Sequence, residues 1–97
     1  MKIVYTSRAV ADLRRLSAYL RARSPQGAKN VRATIRATIA LLEYFPAIGT
    51  PQNVPGVYRL VTRGYPYLVY YTLDHQSGEA AILTIRHAAQ KREYDDA

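Results

Sequence analysis

The chain has 97 residues, 48% of them hydrophobic, no cysteine, and a formal net charge of +7. That length and apolar fraction supply one modest core and not two, so a single domain over 1–97 is expected. The lack of cysteine excludes a disulfide framework and a thiolate metal site. No window approaches the ~18 apolar residues of a membrane span, and the first apolar run, Ile3–Tyr5, is far short of a signal sequence. A cytoplasmic protein off the membrane, with no cofactor, is the expectation.

Lys2–Tyr5 reads as a first strand. Thr6 or Ser7 then suits a helix N-cap, because a side-chain oxygen there accepts from the free N–H groups of the first turn. Ala9, Leu13, Leu16 and Leu20 follow at i, i+4, i+7 and i+11, which is one helical face. Ser24 is a second cap, and Pro25 suits a first helical position, where its missing N–H costs nothing. Ala28, Val31, Ile35, Ile39 and Leu42 form the second stripe, which ends before Pro46. The short break between the helices predicts an antiparallel helical hairpin.

Residues 45–56, FPAIGTPQNVPG, form a loop by composition. Three strands are predicted after it, over 57–62, 67–73 and 80–86, joined by RGYP and DHQSGE. Short turns imply antiparallel neighbours. Residues 88–97 are a polar tail, with room for a helical turn at most. The order is β-α-α-β-β-β, an α+β fold in which the helical hairpin covers one face of a small antiparallel sheet. Both registers of the 67–73 strand are apolar or aromatic, so both faces ask for a cover. With no element left for the second face, a partner is expected there.

Charge is uneven. Residues 1–42 hold nine basic side chains and one acid, Asp12, and eleven of the fourteen basic residues are arginine. The arginine fork suits phosphate or carboxylate, hence a polyanion or an acidic polypeptide. Solvated helix faces explain many of these residues equally well. No recognition helix or aromatic nucleic-acid signature is present, so sequence-specific DNA binding is not expected.

The ordered set of Ala9, Asp12-Leu13, Leu16, Tyr19, Ser24-Pro25, Ala28, Ile35, Leu42, Pro46, Gly49, Arg59, Tyr67, Tyr70 or Tyr71, and Ile85-Arg86-His87 resembles the RelE/ParE superfamily of toxins from type II toxin–antitoxin systems. The resemblance runs from about Ile3 to Arg92. It implies the β-α-α-β-β-β fold, a cognate antitoxin as partner, and one of two activities. RelE-like members are ribosome-dependent endonucleases that cut messenger RNA. ParE-like members poison DNA gyrase and block replication.

Cleavage by a ribose 2′-hydroxyl needs a base, a cation for the phosphorane charge and an acid for the leaving oxygen. Arg59, Arg63 and Arg86 offer the charge, and His87 and Tyr94 offer proton transfer. The three lysines are Lys2, Lys29 and Lys91, none on a central strand, and no Asp or Glu lies between Glu43 and Asp74. The nuclease set is incomplete, which favours the ParE-like reading, non-enzymatic, over the RelE-like alternative. Arg59, Arg63, Arg86 and His87, with Tyr58, Tyr67 and Tyr71 beside them, are then candidates for a partner-binding surface. Arg59 and Arg63 also have a plain structural account, as stems lying on apolar surface or as ion pairs to Asp12. His87 likewise suits a hydrogen-bonded surface position. Asp74, His75 and His87 match no common metal-ligand spacing, and no metal site is expected.

Overall fold

The computed structural model describes residues 1–89 and Tyr94. Strand β1 (Lys2–Tyr5) leads into helices α1 (Ser7–Arg21) and α2 (Pro25–Ala40), and α2 tightens into a 3-10 turn over Leu41–Glu43. Strands β2 (Thr50–Pro51), β3 (Val57–Val61), β4 (Tyr67–Asp74) and β5 (Glu79–His87) follow. Both helices start where their capping residues stand. Thr6 accepts from Ala9 N, Ser24 accepts from Gly27 N, and Pro25 fills the first turn of α2.

The five strands form one sheet in the order β1-β5-β4-β3-β2. The expected hairpins β3–β4 and β4–β5 are antiparallel. The sheet as a whole is mixed, because β1 runs parallel to β5, with Lys2 opposite Glu79 and Tyr5 opposite Ile82. Turn length predicts direction only for strands that a short turn joins, and 73 residues separate the end of β1 from the start of β5. Two-residue β2 pairs with β3 at the far edge. Its proline has no N–H to offer a further strand, so the edge is blunted.

The helices pack on one sheet face. Val31, Ile35, Ile39 and Leu42 meet Leu60, Val69, Tyr71, Ile82 and Ile85 in a single core. The α2 stripe is buried as its spacing predicts. The α1 stripe is less so: Ala9 is fully buried, while Leu13, Leu16 and Leu20 are half-buried. Leu13 and Leu16 each border an open groove, one on either flank of α1.

The second face departs from expectation. Val57, Leu68 and Tyr70 are buried there, with Val54, Leu83, Ala88 and Tyr94 packed on them. The Tyr70 and Tyr94 rings lie 5.8 Å apart. The chain thus covers part of its own second face, with Val54 from the loop before β3 and with Ala88 and Tyr94 from beyond β5. Ala88 N donates to Pro66 O at 2.7 Å, one step beyond the Tyr67–His87 pair. Of the polar tail over 88–97, residues 90–93 and 95–97 lie outside the described residues.

Burial pushes the phenols of Tyr5, Tyr67 and Tyr71 above the ordinary value near 10, against a downward pull from Arg36 on Tyr5 and from the Gly49 N–H on Tyr71. A phenol held protonated by the fold supports stability up to its unfolded value and withdraws that support as pH climbs through the folded one. The contribution of these phenols should therefore be constant up to about pH 10 and fall above it. Denaturant midpoints from pH 9 to 12, read beside tyrosinate absorbance, test this. Uniform ionisation of all nine tyrosines near pH 10 would contradict it.

Candidate functional site

The α1–β5 flank is built around an interrupted sheet edge. β1 stops at Tyr5, opposite Ile82, and leaves the outer edge of β5 without a strand from Leu83 onward. Thr6 extends the pairing by one step: its N–H donates to Ile82 O at 3.1 Å and its hydroxyl donates to the same oxygen at 2.7 Å. Beyond it, Asp12 on α1 takes over. Its Oδ2 accepts from Ile85 N at 3.0 Å and from the Thr84 hydroxyl at 2.6 Å, and its Oδ1 accepts from Arg15. A bulge between the Tyr70–Thr84 and Tyr71–Ile82 pairs leaves Leu83 as the extra residue. Past this junction α1 and β5 diverge into a groove of about 900 Å³, whose walls include Arg8, Leu16, Tyr19, Tyr67, Arg86 and His87.

The opposite sheet face carries a different cluster. Arg59 on β3 stands directly across from Tyr70 on β4. Its Nε is buried and, among the described residues, has no hydrogen-bond partner. Arg86 on β5 is 8% exposed, and its guanidinium lies 5.2 Å from the Tyr70 ring centre and 5.9 Å from that of Tyr94. Cation–π contact of this kind favours a desolvated guanidinium. Arg59, Tyr70, Arg86 and Tyr94 therefore form one cationic aromatic patch.

The structure divides the residues expected from sequence. Arg59, Arg86 and Tyr94 come together. His87 sits on the other face, edge-on to Tyr67 at 5.5 Å, with its Nδ1 accepting from Ala89 N at 3.0 Å. Arg63 lies beyond the end of β3, exposed in the turn. Neither Arg59 nor Arg63 pairs with Asp12, whose partners are Arg15 and the β5 edge.

The expected tyrosine surface beside Arg59 is not formed either. Tyr58, Tyr67 and Tyr71 belong to the helix side of the sheet. Tyr71 has no exposed surface; its hydroxyl donates to Pro46 O at 2.8 Å and accepts from Gly49 N at 2.9 Å. Its ring stacks on Tyr58 at 5.5 Å. Tyr67 is 7% exposed, which leaves Tyr58 as the half-buried member of the three. Sequence reasoning left Tyr70 out of the candidate set. Its signal was strand parity: it shares a face with Leu68, opposite to Val69 and Tyr71.

The fold defined here, a helical hairpin on one face of a five-stranded mixed sheet, occurs in toxins of toxin–antitoxin systems. The superposition on the chromosomal ParDE toxin–antitoxin system of P. aeruginosa has a TM-score of 0.78 at 26% identity, over 90% of this chain and 95% of the other. The isolated E. coli RelE toxin superposes with a TM-score of 0.71 over 94% of this chain and 87% of that one, and at 15% identity it shares the fold alone. In sequence, the chain is 32% identical over 90 residues to "Putative toxin Y4kP" of Sinorhizobium fredii (strain NBRC 101917 / NGR234), covering 93% of this chain and 91% of the relative. The model of the family "ParE toxin of type II toxin-antitoxin system, parDE" matches residues 3–92. The chain belongs to this ParE toxin family, within the RelE/ParE superfamily. Among the described residues, no helix is long and apolar enough to cross a membrane.

Proposed function

We propose that this toxin is a ParE-like poison of DNA gyrase, cytoplasmic and free of cofactors, which a cognate antitoxin neutralises. The observation that carries this reading is the ParE family match across residues 3–92. The chemistry of the sheet supports it. Strands β3 and β4 carry no lysine, and their one carboxylate, Asp74, is at the far end of β4. Arg86 is packed against tyrosine rings and only 8% exposed, an arrangement that holds the guanidinium in place within the sheet face. The antitoxin would be an acidic, amphipathic segment, matched to the α1–β5 groove and to Arg8 and Arg15 on its α1 wall.

One observation favours a second reading, a RelE-like ribosome-dependent mRNA endonuclease. Arg59 and Arg86 flank Tyr70 on one face with Tyr94 beside them. Two guanidinium groups would hold a phosphorane, and a phenol would hand on a proton.

Parallel assays separate the two. The purified protein should make gyrase accumulate linear DNA and inhibit supercoiling, while messages on translating ribosomes stay intact. Cuts phased with codons in those messages, with gyrase unaffected, would replace the first reading by the second. In that event Arg86→Ala should reduce cleavage by about 100- to 10,000-fold. A contact residue would weaken gyrase inhibition only in part.

A further inference from the structure

The groove between α1 and α2 presents a feature that neither activity uses. It measures about 710 Å³ and is bordered by Arg14 and Arg21 from α1 and by Arg32 and Arg36 from α2, over a floor that includes Tyr5 and Leu13. Arg14 and Arg21 stand two turns apart, and Arg32 and Arg36 one turn apart, roughly 5–6 Å between their Cβ atoms. Among the described residues, none of the four has an ion pair or a side-chain hydrogen bond. The acid that could have neutralised them, Asp12, is committed to Arg15 and the β5 edge. From Leu13 to Leu42 there is no other Asp or Glu.

Four forked cations on two rigid rods, left without counter-charge, call for an anionic ligand of repeating charge. The groove's lining selects between kinds of polyanion. An amphipathic acidic helix needs a well-exposed apolar strip to cover; the groove's own apolar residues, Tyr5, Val10 and Leu13, are half-buried, and the large exposed hydrophobics (Tyr19, Leu41, Tyr44, Phe45, Ile48 and Val61) lie outside it. An unpaired strand needs aromatic platforms for its bases, and the groove's one aromatic residue, Tyr5, is half-buried. A duplex presents its phosphates outward and asks only for cations.

We infer that the arginine-bordered α1–α2 groove binds the sugar–phosphate backbone of double-stranded DNA, without reading its sequence. This holds whichever target the toxin has, because it rests on the hairpin alone. Binding of the full-length protein to a fluorescent 20-base-pair duplex, measured over a salt series, tests it. The comparison is wild type, Arg32→Gln/Arg36→Gln, and Arg8→Gln/Arg63→Gln, a control pair that removes the same charge away from the groove.

Each phosphate contact contributes about 0.9 to the slope of log affinity against log salt. The groove pair should lower the slope by about two and the affinity by at least about tenfold at 0.1 M salt, with a second duplex sequence behaving alike. The control pair should leave the slope near wild type. Circular dichroism confirms that the variants are folded. Equal losses from both pairs would overturn the inference, as would tighter binding of the single strand, of an RNA duplex, or of poly-glutamate at matched charge.

Discussion

Replacing Asp12 with alanine should destabilise this protein by about 3 kcal/mol, with a fall in Tm of about 4–8 °C for each kcal/mol. The side chain is 10% exposed and does for β5 what a sixth strand would do. It accepts from the Ile85 N–H and the Thr84 hydroxyl, beyond the point where β1 has run out. Alanine leaves both donors unpaired, one of them on a residue only 2% exposed, and an unmet buried donor costs about 1–3 kcal/mol. Asp12→Asn should fall between, since one amide oxygen still accepts but without charge. Arg15→Ala separates edge-capping from the ion pair. Arg15 is 73% exposed, and a pair of that kind contributes about 0–1 kcal/mol. Urea titration of the three variants checks the order. Equal effects of Asp12→Ala and Arg15→Ala would reduce Asp12 to a surface ion pair.

Gly49→Ala should cost about 3 kcal/mol, although the exchange adds a single methyl group to a loop. A Cβ at Gly49 would lie 2.6 Å from the Tyr71 hydroxyl oxygen and 2.8 Å from the ring Cε1. Tyr71 has no room to retreat: it is fully buried and stacked on Tyr58. The clash also displaces the hydroxyl that ties Gly49 N and Pro46 O together. These two bonds hold the 46–49 loop onto β4. Tyr71→Phe removes the bonds with no clash and should cost about 1–2 kcal/mol. In the phenylalanine background the glycine substitution should cost less than in wild type, because the closest atom is gone and the bonds are already lost. Strictly additive effects in that double-mutant cycle would show that the two residues are not coupled.

Much of the fold is legible where the signal is local. The α2 stripe from Ala28 to Leu42, the caps at Thr6 and Ser24, and the hairpins around Gly64 and Gly78 all depend on residues within a turn or two of one another. Gly64 and Gly78 have φ of 80° and 72°, the left-handed backbone that their turns require. Strand β2 escaped notice because two residues, one a proline, carry no periodicity. The candidate site was half legible. Arg59 and Arg86 are visible as arginines in apolar strands, but strand parity was applied to one strand at a time. Alternation within β3 or β4 says nothing of which face the helices take. Tyr58 directly precedes Arg59 on β3, so alternation alone puts the two on opposite faces, whereas placing Tyr67 and Tyr71 there needs the β3–β4 register, Tyr58 opposite Tyr71 and Arg59 opposite Tyr70.

By itself, the sequence determined the two helices and their inward stripes, the antiparallel meander, and residues 1–42 with nine cations against one acid. It also carried the family's ordered residues. The tertiary structure alone decided that β1 joins β5 in parallel, that Val54, Ala88 and Tyr94 cover part of the second sheet face, and that Asp12 completes an edge 73 residues away. It also decided which four arginines share a groove. The physical reason is the range of the forces. Helical periodicity and caps act within a few residues. Edge-capping, face cover and charge clustering depend on which distant segments the core brings together.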